Sequence, residues 1–369
     1  MMTRTPSASS QGAALFERAA RTFVDEYWSE ELIGNDPSTP TDSNSADWLA
    51  RARRDTVRVT TSLASFVESG PLVEQTHFLS HLMVLPITGP IAVAMPPVDG
   101  MEFIVIGQQF IDVLKFHYQA TAGFKLAEFM IQAGASLPPH LVSSRAMVYW
   151  AASEWVHEWF RTGGTVPNLS GLVRSALSLN LESDAFLEGL LFMVLHECGH
   201  FALGHVSEGP NDIGVASFRQ VSETLMTEEQ RQELAADAWA IRSMAWLNPT
   251  WQCAAIARLF LLFGIAHAAL GTHLPEHPYL HDRSAHLIAA LQAHGVPLTP
   301  HTLRLPEEIT AEYEYRSHNA PGARRPTNDE NLSLLGIFLQ EVSHHFELAG
   351  GDAALLAWMQ SQNVLTRPW

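Results

Sequence analysis

The chain has 369 residues, of which 47% are hydrophobic and 17% charged, the composition of a globular protein that can bury a core for one large domain or two. Its formal net charge of −17 argues against a surface that binds nucleic acid. It contains two cysteines, Cys198 and Cys253, and its first residues lack the apolar stretch of a signal peptide. These features exclude a disulfide framework and predict a reducing, cytoplasmic location.

The N-terminal part of the chain alternates helical patterns with a polar segment. Apolar residues spaced for one helix face predict a helix over 13–32, and another is expected over 48–69. Between them, residues 34–47 are rich in Pro, Ser, Asn and Asp, which is typical of a linker. We therefore expect an N-terminal helix with a flexible linker over residues 1–47, followed by the main domain over residues 48–369.

A small sheet or hairpin is predicted over residues 78–105, which are rich in proline and β-branched residues and contain two turn signals. Its clearest strand is 103–106, and if that strand lies at the sheet edge, a substrate could pair with it as an added strand. Helical patterns follow over 108–134, 141–161, 180–203, 228–247, 249–271, 282–294, 331–348 and 352–363. The most apolar run, 254–270, contains Arg258 and His267 and is interpreted as a buried helix and not as a membrane span.

The helix predicted over 180–203 carries an HExxH signature, residues His196 to His200. On a helix, His196 and His200 lie one turn apart on the same face, so both imidazoles can reach one metal ion, and Glu197 can hold a water bound to it. The surrounding residues are apolar nearly all round, which predicts a buried helix. HExxH alone is a weak motif, and the alternative is a core helix whose histidines are satisfied by hydrogen bonds.

A zinc site with two histidines needs a third protein ligand and leaves one position open. The helix that follows the capping box Thr227–Gln230 is rich in alanine and has Glu233 and Asp237 on one face. We expect Glu233 to be the third ligand and Asp237 to accept the outer N–H of a ligand histidine, while a solvated acidic face is the alternative. Glu223, Glu228 and His205 are alternative third ligands. His205 is expected to point away from the metal face.

HECGH followed by ELAAD resembles the gluzincin metallopeptidases, whose third ligand is a Glu in an E-x-x-x-D helix. HECGHFALGH with ELAADAWA resembles the Lit-type phage-exclusion peptidases and the HtpX-like gluzincins, and the segment from His277 to Arg283 matches the H-P-x-x-x-x-R element of the latter. The resemblance covers roughly residues 90–290, and the chain departs from HtpX-like enzymes in showing no transmembrane helices. It implies an α+β fold, mostly α: a zincin-like metallopeptidase domain with a small β-sheet and a long buried HExxH helix.

The expected function is that of a zinc-dependent endopeptidase that hydrolyses peptide bonds of an intracellular protein by metal-activated water. Zn2+ held by His196, His200 and Glu233 lowers the pKa of its water toward about 7. Glu197 takes the proton and passes it to the leaving amine. The developing oxyanion needs a further donor. We assign it to His277, with these alternatives in or near the same element: His273, Tyr279 and Arg283. For each of the four, a structural cap is the alternative role.

Two other classes of function remain open at this point. One is a regulatory or phage-defence module that keeps the metal site without general protease activity, and the other is a structural helical protein with an accidental HExxH. Residues 207–226, between the two site helices, could act as a lid.

Overall fold

The structure is a computed structural model. It describes residues 8–27, 46–68, 78–87, 92–134, 137–161, 183–206, 227–244, 249–270, 280–295, 298, 303, 305–307, 310–311, 329–351 and 354. The predicted linker (34–47), the predicted lid (207–226) and the last predicted helix (352–363) lie almost wholly outside these residues.

The described residues form helices and a small mixed sheet, so the predicted α+β, mostly α, class with a long buried HExxH helix is confirmed. The elements are α1 (Ala8–Thr22, continued by a π-helical turn, Phe23–Tyr27), α2 (Ala46–Glu68), β1 (Leu82–Leu85), β2 (Ala92–Val98), β3 (Met101–Gly107), α3 (Gln108–Gln132), α4 (Pro139–Arg161), α5 (Ser183–Ala202), α6 (Glu228–Ser243), α7 (Pro249–Leu270), α8 (Leu280–Ala293) and α9 (Asp329–Leu348).

The backbone groups into two compact units. The first consists of Met1–Leu114, Trp159–Val166 and Asp184–Ala320, and it contains the sheet, α1, α2 and the helices from α5 to α8. The second consists of Lys115–Glu158, Pro167–Ser183 and Pro321–Trp369. The boundary expected after residue 47 stays a prediction.

The sheet of the first unit has the strand order β1-β3-β2. β3 is parallel to β1 and antiparallel to β2, to which it is joined by the tight turn Asp99-Gly100, where both residues have positive φ (52° and 77°). Strand 103–106, within β3, therefore lies between the other two described strands, so the edge position that pairing with a substrate requires is not met. An edge position falls instead to β2, whose register is irregular between Met95 and Val98.

One face of this sheet packs against the two N-terminal helices. Alternate residues of the strands, such as Met83, Met95 and Val105, share a buried cluster with Phe23 of the π-helical turn and Trp48 of α2. Burying a side chain of this size stabilises the fold by about 1.5–3 kcal/mol. The residues of the opposite face are also buried, so the sheet lies within the core.

The second unit is a helical assembly of most of α3 and α4 together with α9. Phe116 packs against Trp155 with ring centroids 4.8 Å apart, and Phe129 contacts the ring of Phe346 with centroids 6.2 Å apart. Helix α9 approaches α3 closely at Gly123, because a Cβ there would displace the end of the Leu339 side chain.

By length and apolar character, one helix of the described part of the chain could cross a membrane. It is the window Ala185–Ala202 within α5, and 78% of it is buried inside the fold. This burial is the pattern of a core helix.

Candidate metal centre

Helix α5 brings the two histidines of the HExxH signature together in the core. His196 and His200 are 6% and 7% exposed, and their Nε2 atoms lie 3.2 Å apart. The apolar residues that precede them on the same helix are buried, so both imidazoles are held away from bulk water.

Helix α6 adds a carboxylate to this pair. Its start is fixed by the predicted capping box, in which the Thr227 hydroxyl accepts from the Gln230 N–H and the Gln230 side chain accepts from the Thr227 N–H, both at 3.2 Å. Two turns further on, Glu233 is 8% exposed, with Oε1 3.1 Å from His200 Nε2 and Oε2 3.4 Å from His196 Nε2.

The three side chains fit a metal ion. Zinc bonds of about 2.0–2.1 Å in a tetrahedral arrangement put neighbouring ligand atoms about 3.3 Å apart. The separations between the Nε2 atoms and the nearest carboxylate oxygens are 3.1, 3.2 and 3.4 Å. Two imidazoles and a carboxylate converging in a buried site can therefore hold a metal ion.

The approach of α6 to α5 depends on small residues. A Cβ added to Gly199 would lie 3.1 Å from the Cα and 3.2 Å from the carbonyl oxygen of Ala236. This close packing of the alanine-rich α6 on α5 is what allows Glu233 to reach both histidines.

Asp237 contacts His196 at Nδ1, and Arg283 in turn binds Asp237. The Asp237 carboxylate, 2% exposed, has Oδ1 2.8 Å from His196 Nδ1. Arg283 of α8 donates to the same carboxylate twice, from Nε to Oδ2 at 2.7 Å and from Nη2 to Oδ1 at 2.8 Å. An Nδ1–H that donates to Asp237 leaves the Nε2 lone pair of His196 facing the other two donor atoms.

Arg283 also contacts the rest of the centre. Its Nη1 lies 3.5 Å from Glu233 Oε2, and its guanidinium carbon is 5.7 Å and 5.9 Å from the ring centroids of Phe260 and Phe263 on α7. The sequence named Arg283 as one alternative for stabilising the oxyanion. In the structure its bidentate bond to Asp237 makes it a structural support of the site, recognisable in the sequence as the last residue of the H-P-x-x-x-x-R element.

The charges of the centre shift the pKa values of its members. Burial opposes protonation of His196, but Asp237 and Glu233 outweigh it and raise the pKa of His196 to about 10. Burial would also raise the pKa of Asp237, yet Arg283 and His196 hold it below its usual value. Burial raises the pKa of Glu197, against the opposing influence of the two histidines.

Glu197 is held by the sheet. Its Oε2 accepts a hydrogen bond of 2.8 Å from the backbone N–H of Ala94, on the edge strand β2. Sequence reasoning missed Ala94, because a backbone donor gives no side-chain signal. The bond fixes one oxygen of a buried carboxylate beside the two histidines.

His205 touches the centre from the end of α5. The helix ends at Ala202, the chain reverses at Gly204, which has a φ of 72°, and His205 Nδ1 lies 3.3 Å from His200 Nδ1. Burial lowers the pKa of His205, and the nearby His200 lowers it further. The prediction that His205 points away from the site is wrong, because the turn after the helix brings the ring back.

The remaining candidates are not part of the described centre. Glu228 lies in the first turn of α6 with an exposed side chain paired to Arg231 at 3.1 Å. The others lie outside the described residues: Glu223, His273, His277 and Tyr279.

Residues 141–298 match the family model described as Peptidase U49. Through this segment the chain is similar to the Peptidase U49 family. The match is somewhat less than half of the chain and contains all of α5, α6 and α8, which carry the two histidines, Glu233, Asp237 and Arg283. No curated protein and no solved structure matches.

The match to the Peptidase U49 family indicates a hydrolase of peptide bonds, which acts on protein or peptide substrates. The resemblance to Lit-type peptidases seen in the HECGH and ELAAD motifs is confirmed by this match.

Proposed function

We propose that the protein is a zinc-dependent endopeptidase that cleaves a protein substrate in the cytoplasm. The observation that carries the proposal is the convergence of His196, His200 and Glu233 in the buried centre of a Peptidase U49 segment. The cytoplasmic location is supported by the low cysteine content, together with the buried free thiol of Cys198.

Zinc is favoured by the donor set and by charge. Two imidazole nitrogens and one carboxylate oxygen are the ligands of catalytic zinc sites that keep a position open. The buried centre contains three carboxylates and one guanidinium: Glu197, Glu233, Asp237 and Arg283. When all four are ionised, a divalent cation brings the net charge of the centre to zero. Bound zinc supplies Lewis acidity, which acidifies water and polarises the scissile carbonyl.

Glu197 is the proposed general base. It lies next to a metal-binding histidine on the helix but is not one of the three converging donors. The Ala94 N–H engages Oε2, and the proton transfer is assigned to the other oxygen. Its raised pKa suits a group that first takes a proton from water and then passes it to the leaving amine.

The donor to the oxyanion is proposed to be His277. His277 precedes Arg283 by six positions in the H-P-x-x-x-x-R element, and Arg283 lies in the centre. A donor from this element would stabilise the charge that develops on the scissile carbonyl oxygen.

Replacing Glu197 with Gln is expected to leave about one zinc per chain while slowing hydrolysis by about 10²–10⁴-fold, because it removes the base and no ligand. Zinc is measured by elemental analysis of the purified proteins. Hydrolysis is measured by comparing newly formed protein N-termini in bacterial cells that express either form.

Two outcomes contradict this proposal in different ways. If the wild-type protein binds no zinc even after reconstitution, the metal centre is wrong. If it binds zinc but produces the same protein termini as Glu197→Gln, the reading as a regulatory module without protease activity replaces it. Glu228→Gln, an exposed change on α6, is the matched control and should behave as wild type.

Zinc binding is expected to release protons at pH 7. The pKa of His196 is raised to about 10 without the metal, so at pH 7 this imidazole carries a proton that must leave before Nε2 can bind. Affinity should therefore rise with pH, roughly tenfold per unit for one proton. Calorimetric titration with zinc in two buffers of different ionisation enthalpy measures the proton count, and equal heats in both would contradict the expectation.

A further inference from the structure

A histidine binds a metal through Nε2 only when its proton is on Nδ1, and the group that accepts this proton fixes the ring. For His196 that group is the Asp237 carboxylate, 2.8 Å from Nδ1. His200 has the same requirement, and the sequence assigned no residue to it.

The described contact at Nδ1 of His200 is the imidazole of His205. The two Nδ1 atoms are 3.3 Å apart, so one must donate a proton to the other. Nε2 of His200 faces Glu233 Oε1 and His196 Nε2, at 3.1 and 3.2 Å, and is the atom that would bind the metal. His200 Nδ1 then carries the proton and His205 Nδ1 accepts it, which places the His205 proton on Nε2 of a partly exposed ring.

We propose that His205 is the positioning residue of His200: its neutral imidazole accepts the Nδ1–H of His200 and so fixes the ring and tautomer needed for zinc. This inference rests on the proposed zinc centre. It assigns to the end of α5 a role that the HExxH and E-x-x-x-D motifs do not include.

The backbone conformation at the end of α5 places His205 next to His200. Gly204 adopts a φ of 72°, which L side chains rarely adopt, and the chain reverses there. The His205 N–H then donates to the carbonyl of His200 at 2.8 Å, the long-range bond of a Schellman turn. His205 is thus tied to His200 twice, through the backbone and through the ring, and its position follows that of the ligand.

A neutral acceptor at this position is consistent with the charge of the centre. Arg283 already directs two donors to Asp237, and a further carboxylate behind His200 would leave an unbalanced negative charge in the zinc-bound site. An imidazole satisfies the Nδ1–H without adding charge. The two ligands are therefore supported differently, His196 by a carboxylate and His200 by an imidazole.

The test is the zinc dissociation constant, measured by competition with a chromophoric chelator. His205→Ala and His205→Phe are expected to weaken zinc binding by roughly 10–100-fold, as losses of outer-shell partners do. His205→Asn should return close to the wild-type value, because its side-chain oxygen can take the place of Nδ1 and accept the same proton. Leu203→Ala, an exposed change in the same segment, is the matched control and should bind zinc as wild type does.

Each outcome decides one point. If wild type binds zinc and the Ala and Phe variants bind equally tightly, His205 does not position His200 and the inference is overturned while the zinc centre stands. If all three variants lose affinity equally, the acceptor is not what matters, and the inference is again overturned. If wild type binds no zinc, the centre and this inference fall together. The midpoint of thermal unfolding, measured without metal, should be the same for the three His205 variants.

Discussion

Replacing Arg283 with Met is expected to destabilise the folded protein by about 3–5 kcal/mol, because it removes one partner of a buried ion pair and leaves the charge of the other uncompensated. Arg283 and Asp237 expose 9% and 4% of their side chains and share two hydrogen bonds of 2.7 and 2.8 Å. Met keeps much of the volume beside Phe260 and Phe263 but leaves the Asp237 charge without its guanidinium. Protonated His196 remains as a partner, which favours the lower end of this range in the metal-free protein.

Urea unfolding of the metal-free protein measures the effect, and Arg231→Met is the matched control. Arg231 lies on α6 in an exposed pair with Glu228, so its loss should change the free energy of unfolding by no more than about 0.5 kcal/mol. Adding Asp237→Asn to Arg283→Met should recover part of the loss, because the stranded charge is gone. Equal effects of Arg283→Met and Arg231→Met would show that Asp237 does not depend on Arg283.

The sequence was informative where a single helix sets the geometry. His196 and His200, and likewise Glu233 and Asp237, lie four positions apart, and the period of the α-helix places each pair on one face. Gly199 and Ala236 then indicate which faces can come close. That these pairs meet each other is a tertiary fact, and the sequence suggested it only through the chemistry that a metal requires.

The parts that sequence reasoning missed come from contacts between distant segments. Ala94 is 103 positions from Glu197, and it contributes a backbone N–H, which every residue but proline has. The order β1-β3-β2 could not be read from three short apolar strands, since each is compatible with the centre or an edge.

His205 was missed for a different reason. Its direction was judged by continuing the helical period past Ala202, although Gly204 is the usual signal for a helix end and a chain reversal. Applying that signal would have placed His205 near His200. The error shows that the helical period should be used only as far as the first C-terminal glycine.

Replacing Glu233 with Ala is expected to cause the largest loss of zinc affinity of any change on α6, and with it a loss of hydrolytic activity. Structural zinc sites have apparent binding free energies of about 10–16 kcal/mol over four ligands. Each ligand therefore contributes about 2.5–4 kcal/mol, which corresponds to roughly 10²–10³-fold in zinc affinity. Asp237→Ala should weaken binding less, by about 10–100-fold, because it removes only the acceptor behind His196. The loss of zinc affinity should be larger for Glu233 than for Asp237 because of where each carboxylate lies. Glu233 faces the Nε2 atoms of His200 and His196, at 3.1 and 3.4 Å, whereas Asp237 contacts Nδ1 of His196.

A zinc-competition titration of both variants tests this order, with Glu228→Gln on the same helix as the control. If Asp237→Ala were the more severe change, the roles of ligand and support would be exchanged. Wild-type affinity in both variants would exclude α6 from the metal site. Glu233→Gln refines the result, because it keeps the length of the side chain and removes the charge. Glu233 balances the cation in a site that is buried among apolar residues, so even this amide should bind zinc more weakly than wild type.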